Sequence, residues 1–103
     1  MQRRRLFVWA LAFLPSLAPL AVQAADTLCG AELYRLHCVS CHGERGRPVL
    51  PGAPDFSNPT ALLKPDLQLL ASIRNGRNAM PGYAGQLRDR EILDVISHLR
   101  TLR

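Results

Sequence analysis

Two cysteines and a histidine stand at a fixed spacing in the middle of this chain of 103 residues. The segment reads Cys38-Val39-Ser40-Cys41-His42. Two residues between the thiols let one helical turn present both sulfur atoms to the two vinyl groups of a single porphyrin, and carry the histidine beneath the iron. The motif therefore predicts one covalently bound haem c, attached through Cys38 and Cys41, with His42 as the proximal iron ligand. A chain this short then folds around its cofactor.

Two other uses of paired cysteines fit the surrounding sequence less well. A thioredoxin-like redox pair needs a strand followed by a helix, and no convincing strand alternation is found in the chain. A zinc site needs a second pair of ligands at a suitable spacing, and the sequence offers none. The haem interpretation is therefore favoured over both.

The first 24 residues have the three parts of a cleavable signal peptide. A basic segment at residues 3–5 precedes an apolar stretch at residues 6–14, and Val22-Gln23-Ala24 supplies small residues at the two positions that a signal peptidase reads. The apolar stretch is shorter than the roughly 20 residues that span a bilayer. We therefore expect residues 1–24 to be removed and residues 25–103 to form one domain with no membrane span. A retained anchor is the alternative.

Charge gives no indication of a nucleic-acid partner. The leader holds three of the 13 basic residues and no acidic ones, which leaves 10 basic and 8 acidic residues in the remaining chain. Two haem propionates would bring this balance close to zero, so the basic precursor does not predict nucleic-acid binding. Small exported domains usually need a staple, and three cysteines cannot form a conventional disulfide framework. A covalent cofactor would serve instead.

Apolar periodicity predicts an all-α fold with about three main helices. We expect a short helix over Ala31–Cys38, a second over Pro65–Asn75 and a third over Asp89–Leu102. The third has the clearest apolar stripe, with spacings of three and four residues. Between the first two helices, residues 43–65 form a connector rich in proline and glycine. A structureless loop of this length is usually functional, and wrapping a haem would explain it.

With these features the chain resembles the class I c-type cytochromes, particularly the small bacterial periplasmic ones. Besides the haem motif, the resemblance rests on Gly30 and Tyr34, on residues 75–83 (NGRNAMPGY) and on the last helix (DREILDVISHLRTL). It implies that Gly30 allows the first and last helices to cross closely and that Tyr34 packs into the crossing. Because haem is joined to such proteins after export, we expect a Sec-type route to the periplasm.

Met80 is the predicted sixth ligand of the iron. It is the only methionine left after leader removal, and it lies in a loop flanked by glycine and proline. A thioether is a soft, neutral ligand that favours ferrous iron. The alternatives are a methionine that fills a gap in the core and ligation by another histidine. We expect His37 to be solvated or to act as a cap, and His98 to pack against the first helix.

The resemblance also implies a proline carbonyl that accepts a hydrogen bond from the second nitrogen of His42. The match falls on residues 52–56, which makes Pro54 the first choice and Pro51 the second, with Phe56 lining the haem pocket. Candidates to meet the propionates are Arg45, Arg47, Lys64, Arg74 and Arg77.

Two positions depart from the family pattern, and one cysteine lies outside the haem motif. His98 stands where the family often has an aromatic residue. Arg88 replaces the usual serine or threonine cap before the last helix, which leaves Asp89 as the expected cap. Cys29 is an odd thiol about 13 Å from Cys38 on a continuous helix, too far for a disulfide. We expect it to be buried or half-buried, with an intermolecular disulfide as the alternative.

The resemblance implies a soluble, monomeric electron carrier that docks transiently with redox partner proteins. One alternative is an enzyme-associated or haem-maturation accessory cytochrome, for example of a nitrite reductase system. A ligand-binding or peroxidatic haem is less favoured, because Met80 would fill the open site. No paired carboxylates, Ser-His-Asp set or phosphate-binding loop predicts separate catalysis.

Overall fold

The computed structural model of the chain describes residues 7–18 and 24–102. Residues 7–18, within the predicted leader, have no regular secondary structure and are exposed. The basic segment at residues 3–5 and positions 22–23 of the predicted cleavage site lie outside the described residues. Every helix in the described part is too short or too polar to cross a membrane.

Four α-helices and one short 3-10 helix make up the regular structure of the described residues. They are α1 (Thr27–His37), α2 (Val39–His42), the 3-10 helix (Pro59–Leu62), α3 (Asp66–Asn75) and α4 (Asp89–Leu99). In this part of the chain, β-structure is limited to an isolated bridge between Arg77 and Met80. The predicted all-α fold is confirmed.

The first helix begins before the predicted Ala31, because Asp26 caps it. Its carboxylate accepts a hydrogen bond from the backbone N–H of Cys29 at 3.0 Å, which satisfies one of the free donors at the helix start. The last helix ends at Leu99 instead of the predicted Leu102. The second long helix differs by one residue, since Pro65 precedes it as the N-cap.

The predicted cap of the last helix was wrong. Asp89 is the first residue of α4, and Arg88 occupies the N-cap position. The carboxylate of Glu91 accepts hydrogen bonds from the backbone N–H and from Nε of Arg88, both at 3.0 Å. A glutamate three residues after the cap is the reciprocal half of a capping box, so it can hold the helix start without a serine or threonine.

The first and last helices cross at Gly30, as predicted. A Cβ at this position would overlap the backbone carbonyl of Asp94. Only glycine allows two helix backbones to approach this closely. Tyr34, one turn further on, is 2 % exposed and packs beside Val95 and Leu99.

The core consists of two clusters, and α4 contributes to both. One cluster contains Tyr34, Leu62, Val95 and Leu99, and the other contains Leu87, Ile92 and Ile96. The predicted apolar stripe of α4 is thus its buried face, with Leu102 half-buried just beyond the helix. Burial of this face holds α4 against α1 and α3.

Arg100, immediately after α4, joins three parts of the chain. Its guanidinium donates hydrogen bonds to the carbonyl oxygens of Leu62 at 2.8 Å and Lys64 at 3.0 Å. It also donates to the carboxylate of Asp66 at 2.6 Å. These bonds tie the end of the long loop and the start of α3 to the C-terminal end of α4.

Candidate functional site

Cys38 joins α1 to α2, and Cys41 lies one turn further on, within α2. The carbonyl of Cys38 accepts hydrogen bonds from the N–H groups of Cys41 at 3.3 Å and His42 at 2.9 Å. Both thiols are free and half-buried. The structure therefore brings the two sulfur atoms and the imidazole into a single turn, as the motif predicts.

The pKa of the Cys38 thiol is shifted in the opposite direction from that of a redox-active thiol. Burial, together with the neighbouring Cys41, raises its pKa to about 11. Nucleophilic thiols in redox pairs have a lowered pKa, which keeps them as thiolates near neutral pH. The environment of Cys38 thus argues against a thioredoxin-like pair.

His42 is a buried, uncharged imidazole. It is 8 % exposed, and burial lowers its pKa, which favours the neutral form that binds a metal. Its ring stacks on Phe56, with ring centroids 4.8 Å apart. The half-buried Phe56 is therefore in contact with the predicted ligand.

One nitrogen of His42 has no partner. Nδ1 is buried, and no group in the described part of the chain hydrogen-bonds to it. Pro51 and Pro54 are both exposed, and acceptance by either carbonyl stays a prediction. Buried polar atoms are seldom left unpaired, so this nitrogen marks the ring as part of a site instead of ordinary core.

These features fit a haem. The site offers two free thiols in one turn and a neutral imidazole directly after them. Within residues 7–18 and 24–102, no three His, Cys, Asp or Glu side chains come together to hold a metal ion. Two thiols followed directly by an imidazole suit the two covalent bonds and the proximal iron ligand of a haem, whose porphyrin supplies further iron ligands.

Tyr34 holds the residue that follows the motif histidine. Its hydroxyl donates a hydrogen bond to the carbonyl of Gly43 at 2.6 Å, and burial is the main cause that raises the pKa of Tyr34 to about 12. Gly43 has a φ of 77°, and a Cβ there would overlap the carbonyl of Arg47. The sequence predicted Tyr34 at the helix crossing but not this second role.

The long loop folds back over the motif through backbone hydrogen bonds. The carbonyl of Cys41 accepts from Val49 at 2.9 Å and from Leu50 at 3.1 Å. Further along, Phe56 donates its N–H to the carbonyl of Gly46 at 2.9 Å. These bonds place the Phe56 ring against His42 and close the loop on one side of the site.

A second loop carries Met80. Arg77 and Met80 exchange backbone hydrogen bonds of 3.1 and 2.9 Å, which closes a tight turn with Asn78 at a φ of 53°. The backbone N–H of Tyr83 donates to the carbonyl of Ile73 in α3 at 3.1 Å. Met80 is half-buried. The turn is thus fixed to the end of α3.

Tyr83 links the Met80 loop to the haem motif. Its hydroxyl donates a hydrogen bond to the backbone carbonyl of His37 at 2.9 Å, and His37 directly precedes Cys38. The two rings also meet edge to face, 6.0 Å apart. The loop therefore lies beside the motif, while ligation by Met80 stays a prediction.

The other two histidines occupy the predicted places. His37 is exposed. The His98 ring packs against Tyr34, with centroids 5.1 Å apart, and burial lowers its pKa. Packing of His98 against the first helix is confirmed.

The expected burial of Cys29 was wrong. Its thiol is exposed, because α1 starts at Thr27 and leaves Cys29 in the first turn, beyond the close crossing at Gly30. Partial desolvation and the nearby carboxylates of Asp94 and Asp26 raise its pKa. The thiol is therefore accessible but protonated at neutral pH.

Most of the basic side chains expected at the propionates point into solvent. Arg74 donates a hydrogen bond to the carboxylate of Asp89 at 3.1 Å. This ion pair joins the C-terminal end of α3 to the first residue of α4. The remaining candidates are exposed, namely Arg45, Arg47, Lys64 and Arg77. A role at the propionates stays a prediction for each.

Comparison with known proteins gives consistent matches. Residues 25–99 match a family model described as cytochrome c oxidase, cbb3-type, subunit III. Cytochrome c6 of Thermosynechococcus vestitus is 34 % identical over 99 residues, which cover 87 % of this chain and 81 % of the relative. Cytochrome c6 of a Nostoc species is 31 % identical over 85 residues, which cover 74 % of this chain and 70 % of the relative.

A longer relative matches over one part only. The cbb3-type oxidase subunit FixP of a Bradyrhizobium species is 36 % identical over 69 residues, which cover 63 % of this chain and 23 % of that protein.

Two solved structures have the same fold. A c-type cytochrome superposes with a TM-score of 0.67 at 25 % identity, covering 72 % of this chain and 96 % of the other. Cytochrome c6 from the diatom Phaeodactylum tricornutum has a TM-score of 0.64 at 23 % identity, covering 75 % and 93 %.

Proposed function

Because the chain belongs to the class I c-type cytochrome family, we propose that it is a periplasmic monohaem protein that passes single electrons between redox partners. Membership of the family implies bound haem c and a role in electron transfer. The observation that carries the proposal is the single turn that holds two free thiols and a buried, neutral imidazole.

In this proposal Cys38 and Cys41 form thioether bonds to the haem, and His42 binds the iron. When bound, the haem supplies the one-electron couple of the iron. The chain holds the imidazole between Phe56 and the turn and keeps it uncharged by burial. Nδ1 of His42 has no hydrogen-bond partner among the described residues, and we propose that the carbonyl of Pro54 would accept a hydrogen bond from it when the haem is bound, which would orient the ring and make it a better donor to the metal.

Met80 is the sixth ligand in the proposal. Support comes from its loop, which is fixed to α3 by backbone hydrogen bonds and to the end of α1 by Tyr83. A thioether ligand raises the reduction potential. A loop anchored at both ends keeps that ligand in place in both oxidation states, so little rearrangement accompanies electron transfer.

Export and processing complete the proposal. The leader leaves large apolar side chains exposed in the described part, where Phe7 is 83 % and Trp9 is 88 % exposed. Exposed apolar runs of this kind are rare on soluble domains. The matched family region starts at residue 25, directly after the predicted cleavage site. We therefore assign residues 1–24 to a Sec-type signal peptide and residues 25–103 to the working domain.

A second candidate is a cytochrome that works as a partner of a terminal oxidase. Two observations favour it, namely the description of the matching family and the similarity to FixP. It differs from the first candidate only in the acceptor of the electron. A stable complex with an oxidase would distinguish it from a free carrier, which is recovered alone as a monomer.

Covalent attachment is tested on the exported protein by denaturing electrophoresis with haem staining. We expect the haem to remain with the polypeptide in the wild type and in Cys29→Ala, and to be lost when Cys38 and Cys41 are both replaced by alanine. Cys29→Ala is the matched control, because it also removes one thiol from the same part of the chain. Retention of haem by the double variant would show that the attachment residues are wrongly assigned.

A further inference from the structure

Asp94 is a buried carboxylate in the middle of α4. It is 4 % exposed, and its Oδ1 atom accepts a hydrogen bond from the backbone N–H of Asp26 at 2.7 Å. In the described part of the chain, four ion pairs join Arg35 to Glu32, Arg74 to Asp89, Arg88 to Glu91 and Arg100 to Asp66. None includes Asp94. Burial of a carboxylate is costly when no cation accompanies it.

Cleavage of the leader would create a cation beside this carboxylate. Removal of residues 1–24 frees the amino group of Ala25, whose nitrogen is separated from that of Asp26 by three covalent bonds, or roughly 3 to 3.6 Å. The Asp26 nitrogen is itself in contact with Asp94. In the uncleaved chain the Ala25 nitrogen is an uncharged amide. In the processed chain it is an ammonium group, which the Asp26 contact keeps within about 6 Å of Oδ1 of Asp94.

We propose that processing of the leader creates an ion pair between the α-ammonium group of Ala25 and the carboxylate of Asp94, which fastens the start of α1 to α4. The proposal rests on export and cleavage after Ala24 as proposed above. It gives the first-to-last helix crossing an ion pair that the unprocessed chain does not have.

The surroundings favour a positive charge at this point. The carboxylate of Asp26 caps α1, the carboxylate of Glu91 lies close enough to Cys29 to raise the pKa of that thiol, and the hydroxyls of Thr27 and Ser97 meet at 2.5 Å. A cation at a helix N-terminus is disfavoured by the helix dipole. The capping carboxylate and the buried Asp94 offset this effect at close range.

The amines of the processed chain make the test direct, because Lys64 is the only lysine in the sequence. The holoprotein therefore carries two amino groups, and reductive methylation with ¹³C-formaldehyde gives two NMR signals. Lys64→Arg assigns them. We expect the Ala25 signal to titrate at a higher pH in the folded protein than in guanidinium chloride.

The substitution Asp94→Asn tests the contribution of the negative charge, because asparagine has nearly the same shape as aspartate. The asparagine oxygen still accepts from the Asp26 N–H, so the variant loses the negative charge and keeps the hydrogen bond. We expect its Ala25 signal to titrate at a lower pH than in the folded wild type, whereas Glu32→Gln, which removes an exposed acid from α1, leaves the wild-type titration unchanged. Equal titration of the Ala25 signal in folded and unfolded wild type overturns the proposal without any variant.

The intact mass of the exported protein is measured first, because it distinguishes failure of the cleavage proposal from failure of the ion-pair proposal. A chain that starts elsewhere than at Ala25 refutes the cleavage site and the ion pair together. A chain that starts at Ala25 and shows no shift refutes the ion pair alone.

Discussion

Of the glycines in the described part of the chain, Gly30 leaves the least space for an added methyl group. The atoms it would strike belong to the backbone of Asp94 and Val95, so no side chain can turn aside to make room. We expect Gly30→Ala to destabilise the holoprotein by about 3 kcal/mol or more, because the two helices must separate. Denaturant unfolding measures the loss.

Gly52→Ala is the matched control for this substitution. Nothing lies within 4 Å of a Cβ at Gly52, although its φ of 86° is positive. Gly52→Ala should therefore lower the free energy of unfolding by about 1 kcal/mol, through backbone strain alone. If Gly30→Ala proves no worse than Gly52→Ala, then the crossing is looser than the structure indicates.

His98 makes stability depend on pH. Burial lowers its pKa in the folded state, so the unfolded chain binds a proton more readily. The packed, neutral ring therefore supports the fold above its unfolded pKa of about 6.5, and that support is lost as the pH falls below this value. His98→Phe keeps an aromatic ring against Tyr34 and cannot be protonated.

We expect His98→Phe to lose less stability than the wild type between pH 7 and pH 5. Urea unfolding at both pH values measures the difference. His37→Phe, at an exposed position, should follow the wild-type profile. An unchanged profile in His98→Phe would mean that the acid sensitivity comes from other groups.

Among the elements, α4 was the most predictable and the start of α1 the least. The predicted apolar stripe of α4 is its buried face in the structure, because an amphipathic pattern held for three turns has only one apolar face to bury. α1 starts earlier than its apolar residues indicate, because the Asp26 carboxylate caps it. α4 has Arg88 as its N-cap, because the carboxylate of Glu91 holds the helix start in place of a serine or threonine.

Apart from the crossing of the first and last helices, which the resemblance implied, contacts between distant segments could not be predicted from spacing. Arg100 meets Leu62, Lys64 and Asp66 only because the chain returns to the same place after more than thirty residues. The hydroxyl of Tyr83 reaches the His37 carbonyl for the same reason. Local spacing indicates which residues share a helix face, but not which loop comes to lie on which helix end.

The Met80 loop depends on the hydroxyl of Tyr83. Tyr83→Phe removes only the hydrogen bond to the carbonyl of His37, a loss of about 0.5–1.5 kcal/mol. If that bond fixes the loop that carries the proposed sixth ligand, Met80, then the ferrous variant should bind carbon monoxide faster than the wild type. Stopped-flow spectroscopy measures the rate.

Tyr34→Phe serves as the comparison. It also removes one hydroxyl, which donates to the Gly43 carbonyl on the other side of the motif. We expect it to lower stability without a faster reaction with carbon monoxide. Equal rates in the two variants would show that Tyr83 has no special effect on the Met80 loop.

At the scale of the whole molecule, the long loop and the Met80 loop both lie against the turn that carries the haem motif. Cys38, Cys41 and His42 were predictable because they are adjacent in sequence, and the structure keeps them in one turn. Phe56 was predicted from the resemblance, and the structure stacks it on His42.

The central claim, an electron carrier with iron held between His42 and Met80, is tested most directly by the optical spectrum of the oxidised protein. We predict a low-spin iron with a sulfur-to-iron charge-transfer band at the red edge of the visible spectrum, absent in Met80→Ala. The wild type should also bind carbon monoxide far more slowly than the variant. A high-spin wild type that lacks the band and binds carbon monoxide as fast as Met80→Ala would contradict the account.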